Sequence, residues 1–122
     1  MKIRIRGNSL RLRLSKSEVE KLCTKGSIEE RISFGFNELK YSLQRSDYEQ
    51  EISADYSDGS IKIHIPASLT EGWNQNDIIS FDSTKKISDN ETLYILIEKD
   101  FKCLDKTDED QSDKYENPNK SC

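Results

Sequence analysis

The chain has 122 residues, 19 Lys and Arg, 23 Asp and Glu, and a formal charge of −4. That length supports one core and not two. With 33% hydrophobic and 34% charged residues, either the core is compact or part of the chain lies outside it.

No run of about 18 apolar residues is present to span a membrane. The start, Met1-Lys2-Ile3-Arg4-Ile5-Arg6, alternates charge and apolarity where a signal peptide needs an apolar stretch. The chain therefore reads as cytoplasmic. Cys23, Cys103 and Cys122 form no CxxC pair, which argues against a disulfide scaffold and a four-ligand zinc module.

The charge is unevenly placed. Residues 1–14 hold five bases and no acid, and residues 105–122 hold six acids against three bases. A basic start and an acidic end on one small chain need a physical account.

Residues 1–14 predict a hairpin. Ile3 and Ile5 alternate with Lys2, Arg4 and Arg6, and Leu10, Leu12 and Leu14 alternate with Arg11 and Arg13. Gly7-Asn8 fits a two-residue turn of the Gly-first type. Pairing Arg6 with Ser9 puts every apolar residue on one face and every base on the other.

Ser15-Lys16-Ser17-Glu18 spells a capping box. Val19, Leu22 and Cys23 then make a short apolar helical stripe, with Gly26 as its left-handed cap. Ile28, Ile32 and Phe34 share the inward parity of the next strand. Leu39, Tyr41 and Leu43 follow the turn at Gly35-Phe36-Asn37. Ile52, Ala54 and Tyr56 alternate before the hairpin turn Asp58-Gly59. Ser57 opposite Ser60 then pairs Tyr56 with Ile61, Ala54 with Ile63 and Ile52 with Ile65.

Pro66 opens a short helix running to about Trp73. Ile78 to Asp82 reads as a short strand, and Ser83 to Glu91 as a polar loop. Leu93 to Ile97 is nearly continuous in apolar residues and reads as a central strand covered on both faces. Beyond Asp105, Tyr115 is the only large apolar residue. The division is thus one α+β domain over 1–104 and an acidic, flexible tail over 105–122. The expected fold is a curved, mostly antiparallel sheet, open or partly closed into a barrel, with two short helices. No repeat of solenoid length is present.

The stretch Lys2-Ile3-Arg4-Ile5-Arg6-Gly7-Asn8-Ser9, continuing Leu10-Arg11-Leu12-Arg13-Leu14, resembles the opening of a family of small uncharacterised bacterial proteins. Glu98-Lys99-Asp100-Phe101 with Cys103-Leu104 resembles that family's last strand. Glu109-Asp110, Ser112-Asp113 and Asn117-Pro118 resemble its tail. The resemblance implies no activity, but it implies that the tail belongs to the design.

The first candidate site is the basic face formed by Lys2, Arg4, Arg6, Arg11 and Arg13. Guanidinium forks suit carboxylates and phosphates, and several on one face repel without a counter-anion. That anion is an acidic protein segment (the tail included, or Glu29, Glu30, Glu98 and Asp100), a small anionic ligand, or a nucleic acid. Nucleic acid is disfavoured by the negative total charge and the lack of aromatics interleaved with the bases.

The leading function is a non-enzymatic binding module. The alternative is a phosphate-handling enzyme that sets Glu98 and Asp100 beside the Arg face to hold Mg²⁺. Triphosphate tunnel enzymes also line a barrel with Arg and Lys, but their Glu-x-Glu-x-Lys hallmark is missing here. Glu98, Asp100, His64 and Cys103 are weak metal candidates that lack further ligands. No cofactor motif is present. Trp73 and Phe36 are either partner anchors or plugs of a small core, and plugging is the simpler reading. Exposed sheet edges leave the oligomeric state open.

Overall fold

The computed structural model describes residues 1–101. The chain runs β1 (Lys2–Arg6), β2 (Ser9–Leu14), α1 (Lys16–Lys25), β3 (Ser27–Ser33), β4 (Glu38–Ser46), β5 (Ser53–Ser57), β6 (Ser60–Pro66), α2 (Ala67–Thr70), β7 (Ser80–Ser88) and β8 (Glu91–Lys99). The predicted boundary at residue 105 lies outside the described residues.

Local chemistry places the turns and caps as expected. β1 and β2 pair with Lys2 opposite Arg13, Arg4 opposite Arg11 and Arg6 opposite Ser9. Gly7 takes φ 54° and Asn8 stays at negative φ, as a Gly-first turn requires. The Ser15 side chain accepts from the Glu18 amide, and the Glu18 side chain accepts from the Ser15 amide. Gly26 closes α1 at φ 86°. β5 and β6 pair with Ser57 opposite Ser60 through a turn with Asp58 and Gly59 both at positive φ.

The fold is α+β as expected, but the expected single, mostly antiparallel sheet is corrected to two mixed ones. The described residues form two four-stranded sheets, ordered β1-β2-β8-β7 and β3-β4-β6-β5. Each joins two hairpins through a parallel central pair, β2 with β8 and β4 with β6. Neither sheet closes on itself. Hairpin signals are local and legible, whereas parallel pairing needs long crossovers and leaves no local mark.

The two sheets repeat one plan. Exchanging β1 to β4 with β5 to β8 turns the first strand order into the second. Tertiary hydrogen bonds repeat with it. Tyr94 N donates to Asn8 O as Lys40 N donates to Gly59 O, and Lys99 N donates to Ile79 O as Arg45 N donates to Gly26 O. The Lys99 ammonium donates to Asn76 O as the Arg45 guanidinium donates to Cys23 O. Ser9-Leu10-Arg11-Leu12-Arg13-Leu14 thus corresponds to Ser60-Ile61-Lys62-Ile63-His64-Ile65.

The core lies between the sheets. Leu12, Leu14, Ile95 and Ile97 come from one sheet, and Ile28, Leu43, Ile63 and Ile65 from the other. Val19 and Leu22 of α1 and the fully buried Trp73 close one end. Each such side chain contributes about 1.5–3 kcal/mol on burial. The helices meet at this end, where the Cys23 thiol donates to Thr70 O at 3.2 Å. All four hairpin turns point to the other end.

Four further expectations change. Ser83 to Ser88 is not loop but the second half of β7, an edge strand whose polar residues pair with β8 on one side only. α2 ends at Thr70, before Trp73, because Gly72 turns the chain at φ 69°. β8 is central but open on one face, with Tyr94 exposed and Leu96 half-buried. Ile32 and Phe34, expected inward, are exposed because the β3–β4 hairpin outruns the core.

Candidate anion-binding site

β1 and β2 alternate strictly, so Leu12 and Leu14 enter the core and the bases leave it. The registers extend this face into rows across the sheet. Lys2, Arg13, Glu98 and Ser80 form one row. Arg4, Arg11, Leu96 and Asp82 form the next. Arg6, Ser9, Tyr94 and Thr84 form the third. All five predicted bases therefore share one outward sheet face.

Glu98 sits at the centre of the charge. Its Oε1 accepts from Arg11 Nε at 2.8 Å and from Arg13 Nε at 2.6 Å. The Arg11 Nη2 group also lies 2.7 Å from that oxygen. The Glu98 side chain is only 13% exposed, against 43% for Arg13. One carboxylate oxygen thus serves two guanidinium groups. Lys2 Nζ reaches Asp100 Oδ2 at 3.1 Å at the edge of the face. Across the sheet the Tyr94 hydroxyl donates to Asp82 Oδ2 at 3.0 Å, and burial followed by that bond holds its pKa above the usual phenol value.

The other predicted groups are dispersed. Glu29 and Glu30 belong to the second sheet. His64 Nε2 contacts Asp55 Oδ2 at 3.1 Å in that sheet, whereas Glu98 belongs to the first. Among the described residues no three His, Cys, Asp or Glu side chains cluster as a metal site would need. Cys103 lies outside the described residues. Glu98 and Asp100, the Mg²⁺ pair of the enzyme alternative, are engaged by Arg11, Arg13 and Lys2.

One polar cluster escaped the sequence reading. The Met1 amine donates to Glu18 and, at 3.1 Å, to Glu30. The Tyr41 hydroxyl donates to Met1 O at 2.9 Å. Nothing in residue spacing joins positions 1, 18, 30 and 41, so only the folded registers reveal it.

Burial pushes the Glu18 pKa up, but hydrogen bonds from the amine and from Ser15 outweigh it and hold it below the ordinary 4.5. Burial pulls the amine down, and bonds to Glu18 and Glu30 outweigh it and hold it above 8.0. The Glu18 contribution is therefore complete above pH 4.5 and lost as pH falls through its lower folded value. The amine's contribution is complete below pH 8.0 and lost as pH rises through its folded value. Glu18→Gln is expected to lower the urea midpoint at neutral pH and to flatten its fall on acidification. Parallel acid limbs for both proteins would contradict this.

The fold and its face define a class: a two-sheet α+β protein with a charged outer sheet face and no helix long and apolar enough to cross a membrane among the described residues. Residues 1–119 match the model of a family of unknown function, DUF7009, and the chain belongs to that family. The match takes in most of the acidic segment as well as the basic hairpin. Comparison with curated proteins and with solved structures finds no match.

Proposed function

We propose that the protein is a non-catalytic binding module whose basic sheet face takes an acidic peptide segment. The shared Glu98 oxygen supports this most directly. It meets Arg11 and Arg13 together, so one negative group is set against two cations on the face. The flat rows suit a chain of carboxylates spaced along an extended segment better than a single ion in a pocket. Arg supplies planar forks that pair carboxylates in two places at once. Residues 105–122, with six acids, are one source of such a segment, and a partner protein is the other.

The test is fluorescence anisotropy with a labelled oligo-glutamate peptide and the full chain. Binding is expected, weakening as salt rises. Lys2→Glu with Arg6→Glu is expected to weaken it about tenfold or more. Neutralising Asp108, Glu109, Asp110 and Asp113 to amides should tighten it if the chain's own segment competes. Binding that ignores the Lys2 and Arg6 reversals would overturn the reading. Preference for single-stranded nucleic acid would replace it.

A further inference from the structure

The turn end of the molecule is unusually apolar. Phe34 N donates to Asn37 O at 2.7 Å, closing a tight turn that carries Phe34 and Phe36 into solvent. Phe34 is 72% exposed and Phe36 fully exposed. Beside them, between the β1–β2 and β5–β6 turns, lies an open groove of about 340 Å³. Ile5, Leu10, Ala54, Tyr56, Ile61 and Leu93 line it. Ile5 is 60% and Tyr56 68% exposed. Knob and groove are neighbours at one end, since Lys40 N donates to Gly59 O where β4 passes the β5–β6 turn.

We infer that two copies of the chain associate end to end, each inserting its Phe34–Phe36 turn into the other's Ile5–Tyr56 groove. Three observations support a second copy as occupant. The first is area. Ile5, Ile32, Phe34, Phe36, Tyr56 and Ile87 all lie at this end, and their exposed fractions amount to roughly 800 Å² at about 200 Å² per large side chain. A stable interface buries about 800 Å² per partner.

The second is complementary charge. Asp58 stands in the turn beside the groove, while Arg31 and Lys40 flank the Phe turn around the single acid Glu38, at 3.1 and 3.4 Å, and leave it net positive. The third is closure. Knob and groove share one end, so a twofold axis satisfies both contacts at once and leaves no open patch to propagate. The association is independent of the basic face, which lies on the outer side of the first sheet.

Sedimentation velocity of the full chain over a wide concentration series tests this. A dimer is expected. Phe36→Asp, at a fully exposed turn position, and Tyr56→Asp, on the groove wall, should each weaken it about tenfold or more, with the circular dichroism spectrum unchanged. Phe101→Asp, also exposed but at the helix end, should leave it intact. A monomer at every concentration would overturn the inference. So would a dimer that survives both Phe36→Asp and Tyr56→Asp, which would place the interface on a sheet edge instead.

Discussion

Replacing Trp73 by alanine is expected to lower the melting temperature by at least about 12 °C. Trp73 is fully buried, its indole Nε1 donates to Ile78 O at 2.8 Å, and its ring lies tilted on Phe81 at 5.0 Å. Lys99 Nζ stands 5.6 Å from the ring centroid while donating to Asn76 O. Truncating such a side chain costs about 3–5 kcal/mol, and about 4–8 °C accompany each kcal/mol in a domain of this size. One residue here closes the core, anchors the segment into β7 and lies beneath the last residue of β8. Trp73→Phe keeps most of the volume and loses the bond to Ile78, so its shift should be clearly smaller. Calorimetry decides: an alanine shift of only a few degrees would show that the helix end does not depend on this plug.

Glu98→Gln has the second large effect, and its sign depends on what is measured. The substitution removes the carboxylate charge that Arg11 and Arg13 share. Breaking a buried ion pair from one side costs about 3–5 kcal/mol. Arg13 is 43% exposed and therefore screened, so the expected loss is smaller, about 2 kcal/mol by urea unfolding at low salt. Added phosphate should restore part of it, because a bound anion beside the forks replaces the lost negative charge. Affinity for the acidic peptide should rise in the same variant. Stability equal to that of the unsubstituted chain would mean that the Glu98 charge does not hold this face together.

Much of the fold was legible because it is written locally. Strict alternation from Lys2 to Leu14 gave the first hairpin and its register, and therefore put five bases on one face. Asp58-Gly59 gave the β5–β6 register, and Ser15 with Glu18 gave the start of α1. These signals act within a few residues, where turn geometry and hydrogen bonding leave one answer.

What stayed hidden was non-local. The parallel pairing of β2 with β8 decides that Glu98 stands beside Arg13, yet residues 13 and 98 share no sequence signal. Before folding, Glu98 was one of several acids able to face the bases, and Glu30, on the same terms, went to the Met1 amine instead. Only the second half of β7, Ser83 to Ser88, reads as loop, because an edge strand exposed on both sides resembles a loop in composition. The repeat of the two halves was masked because only Ser-aliphatic-base alternation survives between them, while α1 runs ten residues and α2 four.

The central claim is that the outer face of the first sheet, with its bases around Glu98, is a surface for acidic segments. Chemical-shift mapping of the full chain during titration with an oligo-glutamate peptide tests it most directly. The account predicts shifts in the amides of β1, β2 and β8 and in the side-chain Nε–H signals of Arg11 and Arg13. The second sheet and the turn-end groove should stay unchanged. No shifts at low salt, or shifts confined to the groove around Ile5 and Tyr56, would contradict it.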